Sequence, residues 1–309
     1  MRIRNVKRAA ATGIVATMAL FAPHDASATL LFTAQAGQNA AVDSIPPSTC
    51  NPSNNVNVSS SSPVAAEITC GNGNGTEHAL AGASYGHVGG SALAASVTDG
   101  TRMRLGTTSI FRDDNFIFTS NNPQIVGSTS VSLNLVAAGD ISTTLGAGAT
   151  VTFEVIINGA TVVGFYQRSE NAGGLVSCQS TFVGGVSGPL CDGALPGGAN
   201  HLQTVDFGVP LNSPVMVSLF LELDIGAADA GHTAGADFGH SFDFPIGAAL
   251  FNLADGVTVN EPDTFVFNNL FAPPSAAAIP EPGSLSLLVA GLAALGARRM
   301  RQKTSGARA

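Results

Sequence analysis

Val215-Met216-Val217-Ser218-Leu219-Phe220-Leu221-Glu222-Leu223-Asp224-Ile225 is the stretch that decides the fold. Val215, Val217, Leu219, Leu221, Leu223 and Ile225 are all aliphatic, while Met216, Ser218, Phe220, Glu222 and Asp224 fall between them. A period of two places the aliphatic set on one side of a strand and the mixed set on the other. The same period recurs nearby. Val151, Phe153, Val155 and Ile157 share one face, with Thr152, Glu154 and Asn158 opposite, and Val131-Ser132-Leu133-Asn134-Leu135 alternates apolar and polar. Asn158-Gly159 supplies the positive-φ pair of a type I′ hairpin, which predicts a partner strand over Thr161 to Tyr166. No window of the body combines a 3.6-residue period with caps, so the crossover helices of a parallel sheet are missing. These signs predict an all-β fold: an antiparallel β-sandwich, jelly-roll-like, flanked by an N-terminal signal helix and a C-terminal single membrane helix. Residues 36–127 read less clearly, and the polar runs Asn51 to Ser62 and Gly71 to Gly75 suit loops or a sheet edge.

Composition bounds what such a body can do. The 309 residues include 36 Gly, 17 Phe, 2 Tyr and no Trp, and only 11% are charged. About a quarter is usual for a soluble protein, so Ser, Thr, Asn and Gly must cover most of the surface. The net charge of −8 is unevenly spread. Arg2, Arg4, Lys7 and Arg8 open the chain, and Arg298, Arg299, Arg301, Lys303 and Arg308 close it. Residues 29–279 hold 4 basic and 19 acidic side chains, a net of −15. With no cluster of Lys or Arg to neutralise phosphates, nucleic acid is excluded as a partner of this body.

The two ends read as addresses. Arg2 to Arg8 form a basic region, Ala9 to Ala22 a short apolar run, and Ala26-Ser27-Ala28 a small-residue cleavage site with Ala26 and Ala28 at its key positions. This is a secretory signal peptide over residues 1–28. The expected body is 29–271, followed by a Pro/Ala linker over 272–278 and a tail over 279–303. Within the tail, Pro280-Glu281-Pro282 precedes Leu285 to Ala297, a charge-free segment of about 20 Å as a helix, against a hydrocarbon core of roughly 30 Å. Arg298 and Arg299 follow and favour the cytoplasmic side. A Pro-Glu-Pro triplet, a short Leu/Gly/Ala helix and an arginine cluster, in that order, resemble the PEP-CTERM sorting tail of exported bacterial proteins. The resemblance implies transient anchoring in the inner membrane, processing by an exosortase-type enzyme near Pro280-Glu281-Pro282, and delivery to the cell surface or extracellular matrix where exopolysaccharide is made. Ala236 to Pro245, followed by Asp255 to Asn260, is also similar to a stretch that often precedes such tails, and is expected to form the last strands.

Cys50, Cys70, Cys178 and Cys191 lie in the exported part, where disulfides persist. Four cysteines allow three connectivities. Proximity favours Cys50–Cys70 and Cys178–Cys191, each worth about 3 kcal/mol in the chain-entropy model. Gly82-Ala83-Ser84-Tyr85-Gly86 fits the G-x-S-x-G pattern, but a nucleophile elbow needs strand–turn–helix on a parallel sheet, and a chain this rich in Gly and Ser meets the pattern by chance. Asp224, Asp229, Asp237 and Asp243, spaced by Gly and Ala, are the candidate ligands of a calcium ion, but a solvated acidic loop between two strands is the leading explanation of them. No other cofactor is implied. The leading reading is a non-enzymatic exported protein, sorted by its tail and associated with exopolysaccharide. The alternatives are a calcium-dependent carbohydrate-binding module and, third, a secreted hydrolase.

Overall fold

The structure, a computed structural model, describes residues 30–37, 56–72, 75–97, 102–144, 146–171, 173–183, 200–228, 230–239 and 242–273. The signal peptide, the sorting tail, Cys50, Cys191, Asp229 and most of the linker lie outside them. Among the described residues there is no helix. The chain forms β1 (Leu31–Gly37), β2 (Val56–Ser60), β3 (Val64–Asn72), β4 (Gly75–Ser84), β5 (His87–Ser96) and the 19-residue β6 (Arg102–Ser120). Next come β7 (Ser128–Ala137), β8 (Asp140–Thr143), β9 (Gly148–Ile157), β10 (Thr161–Asn171), β11 (Gly174–Ser180), β12 (Asn200–Gln203) and β13 (Phe207–Pro210). Then follow β14 (Pro214–Ala228), β15 (Thr233–Phe238), β16 (Phe251–Asn252), β17 (Val257–Asn260), β18 (Val266–Phe267) and β19 (Leu270–Phe271).

The stretch quoted at the outset is the centre of the molecule. β14 lies between β9 and β6 in an eight-stranded antiparallel sheet ordered β11-β10-β9-β14-β6-β1-β2, with β17 added at the end of β6. Its six aliphatic residues are all buried, none more than 1% exposed. Asn158 and Gly159 have φ of 51° and 72°, and the hairpin they close runs through β10 in register with β9. Both observations agree with the alternation in the sequence.

A second layer packs on the inner face of this sheet. β3-β4-β5-β15-β8 form one antiparallel sheet, and β7 carries β12, β13 and β16 along its edges. Phe242-Asp243-Phe244 stitches the two together. Val88 and Phe244 exchange backbone hydrogen bonds with Phe242 and Gly86 on one side, while Val136 and Asp243 bond each other reciprocally on the other. The rings of that segment reach across the core: Phe242 stacks on Phe153 of β9 at 3.6 Å, and Phe244 meets Phe111 and Phe116 of β6 edge-on. Phe238, Phe251 and Phe271 extend the same aromatic seam.

Close approach of the layers explains the polar residues buried in β6. Ser109 donates to the Gly89 carbonyl at 2.6 Å and accepts from the Gly82 amide at 3.1 Å, so one hydroxyl ties β4 and β5 to β6. At Gly90 a Cβ would stand 2.7 Å from Thr107 Oγ1 and 3.3 Å from Leu223. Gly90→Val is therefore expected to cost about 1–3 kcal/mol through overpacking, read as a lower urea midpoint with an unchanged slope.

Residues 36–127, which read less clearly in the sequence, supply five strands, and within the polar run Asn51 to Ser62 lies β2, an edge strand of the large sheet. β6 escapes a period-two reading because its phase changes. Val215 of β14 pairs with Phe116, whereas Val217 pairs with Asp113, so β6 carries one extra residue between them. This bulge turns both Asp113 and Phe116 inward. Neither Cys70 on β3 nor Cys178 on β11 is a free thiol.

Candidate functional site

The outward residues of the eight-stranded sheet follow from its register. Gln179, Gln167, Thr152, Glu222, Thr108, Gln35 and Asn57 are successive cross-strand partners from β11 to β2. Every one is half-buried or exposed, and every one carries an amide, hydroxyl or carboxylate. The row is hydrogen-bonded within itself, since Gln167 Nε2 donates to Thr152 Oγ1 at 3.2 Å. Its neighbour on one side contains Ser177, Ser169, Thr150 and Asp224, with Thr150 and Ser169 sharing a 2.8 Å bond. On the other side stand Phe165, Glu154, Phe220, Ile110 and Thr33. Seven strands thus present a polar row flanked by two phenylalanine rings.

The electrostatics of this face are acidic and internally braced. Arg104 on β6 binds both oxygens of Asp224, at 3.0 and 2.6 Å, and that hydrogen bond raises the guanidinium above its ordinary pKa. This pair borders a groove of about 370 Å³, whose floor includes Gly148, Thr150 and Gly226. Burial, and secondly the charge of Glu222 in the adjacent row, holds the Glu154 carboxyl above the usual carboxylate range. The face therefore suits hydrogen bonding to an uncharged polar ligand better than capture of an anion.

Of the four aspartates proposed for calcium, the three described ones are put to separate uses, while Asp229 lies outside the described residues. Asp224 is held by Arg104, and exposed Asp237 accepts from the Gly239 amide in its own turn at 3.2 Å. Asp243 accepts from the Nδ1 of buried His87. Among the described residues, no group of three or more His, Cys, Asp or Glu side chains converges as a metal site. Ser84 ends β4 at a Tyr85-Gly86 hairpin turn opposite His87, an antiparallel setting unlike a strand–turn–helix elbow. The imidazole Nε2 stands over Gly89, 2.9 Å from where a Cβ would lie.

Sequence reading missed two groups. The polar row was invisible because Gln35, Thr108, Thr152, Gln167 and Glu222 come from five distant strands. The other group is the buried trio Asp113, Thr264 and Glu261, where a Thr264 hydroxyl donates to Asp113 Oδ2. Its one available signal was a pair of acids, Asp113 and Asp114, inside a segment otherwise readable as strand.

The described residues thus define an all-β, antiparallel body with a braced polar face. Beyond them, residues 278–302 match the PEP-CTERM protein-sorting motif. The chain carries that sorting tail, and with it the marks of an exported, surface-directed protein processed by an exosortase. No curated protein matches the chain. Among solved structures, one similarity is to the structure of infectious bursal disease virus Gx strain, at 13% identity and a TM-score of 0.14, covering 71% of this chain. The match spans about half, 51%, of the viral chain, and at that score it carries no fold argument.

Proposed function

We propose that this is a non-enzymatic surface or extracellular-matrix protein whose β-sandwich body, of jelly-roll type, holds neutral exopolysaccharide on the outer face of the eight-stranded sheet. The mature body starts at Thr29 after signal removal, with disulfides Cys50–Cys70 and Cys178–Cys191. The tail holds the chain transiently in the inner membrane until it is processed. The observation that supports polysaccharide binding is the row from Gln179 to Asn57, a line of donors and acceptors one strand spacing apart. A polyhydroxylated chain offers hydroxyls all along its length, and each hydrogen bond contributes about 0.5–1.5 kcal/mol, so affinity accumulates over many weak contacts. Phe165 and Phe220 beside the row supply apolar faces for sugar rings. Glu154 and Glu222 lie side by side on an open sheet face rather than across a cleft, which favours binding over hydrolysis.

Affinity electrophoresis through gels containing dextran, xylan or glucomannan tests this. At least one gel is expected to retard the full chain, and Gln35→Ala with Gln167→Ala together is expected to weaken retention about tenfold with no change in the circular dichroism spectrum. Retention should survive EDTA; its loss would move the reading to the calcium-dependent module. Equal retention of the variant, or release of reducing ends by the wild type, would sink the proposal, the latter in favour of a hydrolase.

A further inference from the structure

The buried Asp113 and Glu261 carboxyls interact electrostatically where the last described segment packs beside the end of β6. Asp113 is 2% exposed and Glu261 wholly buried. Asp113 Oδ1 accepts from the Asn115 amide at 2.9 Å, and its Oδ2 accepts from the Thr264 hydroxyl. Glu261 Oε1 accepts from the Asp263 amide at 3.0 Å, while its buried Oε2 has no partner. The other charges acting on the pair are Asp114 on β6 and Asp263 on the turn, both negative. Arg112, on the opposite face of β6, binds both oxygens of Asp114 through Nε and Nη2 at 2.7 and 2.8 Å and so offsets that charge in part.

The segment held there is strained. Phe265 closes the turn after Glu261 with φ of 60°, a left-handed conformation that a bulky residue adopts only under constraint. Glu261 and Val266 exchange backbone hydrogen bonds around it, and Phe265 packs edge-on against Tyr85 at 4.9 Å. The turn continues through β18 and β19 to Pro273, in the first residues of the linker that precedes Pro280 in sequence.

We propose that Asp113 and Glu261 form a proton-holding latch that fixes residues 261–273 to the β6 bulge and loosens them as the surroundings turn alkaline. Two adjoining carboxylates in a buried site cannot both ionise without a counter-charge, so the closed latch keeps a proton that an exposed pair would lose. Burial, then opposed by the Thr264 and Asn115 hydrogen bonds, raises Asp113 to about 6. Burial and the neighbouring Asp113 raise Glu261 to about 8. Both values lie above those of the open segment, so the closed form binds more protons. Its stability is therefore complete below about pH 4 and falls as the pH rises through 6 and 8.

Hydrogen exchange on the full chain reads the latch. After correction for intrinsic exchange, the open population of residues 261–273 is expected to rise by more than about tenfold per pH unit near pH 5.5, where both groups hold a proton in the closed form, and by about tenfold per unit near pH 7, where only Glu261 does. Protection across Val215–Ile225 should not follow. Glu261→Gln, neutral at every pH, is expected to flatten the profile above about pH 6.5, and Asp113→Asn to reduce its slope near pH 5.5–6 should the first variant fold poorly. A flat wild-type profile would overturn the latch, as would a Glu261→Gln profile with the wild-type slope. Restored protection at pH 8.5 on adding 5 mM calcium, lost in Glu261→Gln, would overturn it in favour of a cation site.

Discussion

Phe153→Ala is expected to lower the stability of the body by about 3–5 kcal/mol. Phe153 is wholly buried on β9, between Phe242 at 3.6 Å and Phe182 at 5.7 Å, both near-parallel to it. Truncation removes the ring that faces the stitching segment Phe242-Asp243-Phe244, so the cavity opens where the two layers and the two halves of the second layer converge. The surrounding strands are pinned by ladders on both sides and cannot collapse into the space, which places the cost toward the upper end of the range. Against a total stability of about 5–15 kcal/mol, this would leave a large unfolded fraction at physiological temperature. Urea unfolding followed by circular dichroism should show a lower midpoint with the same slope, and melting should drop by roughly 10–15 °C. Phe220→Ala, on the half-buried outer face of the neighbouring strand, should cost well under half as much. Equal losses at the two positions would mean that the layers are not packed through Phe153.

The contrast between those two rings is legible in the sequence, and so is the sheet that carries them. β14 and β9 alternate without interruption because each is central, with one face sealed by the second layer and the other open to polar contacts. Period-two patterning is strongest where those conditions hold. β6 is central too, yet its inner face reads Leu105, Thr107, Ser109, Phe111, Asp113, Phe116. Ser109 is inward because Gly89 and Gly82 bring the facing backbone within hydrogen-bonding reach, and the bulge after Asp113 reverses the phase. Both causes are tertiary, so no local window contains them. β2 is the sheet edge that the polar run Asn51 to Ser62 allowed: Val56-Asn57-Val58-Ser59 alternates, but its valines are only half-buried and sit within a polar run, so the alternation carries little weight alone. The polar face shows the same limit. Thr152, Glu154 and Glu222 are visible as outward residues of their own strands, but only the register joins them to Gln35, Thr108 and Gln167.

Replacing Pro280, Glu281 and Pro282 together by alanine is expected to keep the exported chain at the membrane, with at least a tenfold fall in its appearance at the surface or in the medium. In the proposed function the tail has two separable jobs. Leu285 to Ala297 with Arg298 and Arg299 would hold the chain in the membrane through apolar length and a positive cytoplasmic flank, wherever the triplet stands. The triplet carries the processing information of the sorting motif matched at residues 278–302. Removing it therefore leaves anchoring intact and blocks release, so an epitope inserted at Ala277 should accumulate in the membrane fraction on a chain that keeps its tail. Deleting residues 285–303 instead removes anchoring, and the epitope should then be secreted without sorting. Opposite partitioning by two changes within one short tail would separate address from anchor. Unchanged release of the alanine variant would show that the triplet does not direct processing in this chain. Neither change touches the described body, so the melting temperature and the polysaccharide retention of the purified variants should equal those of the wild type.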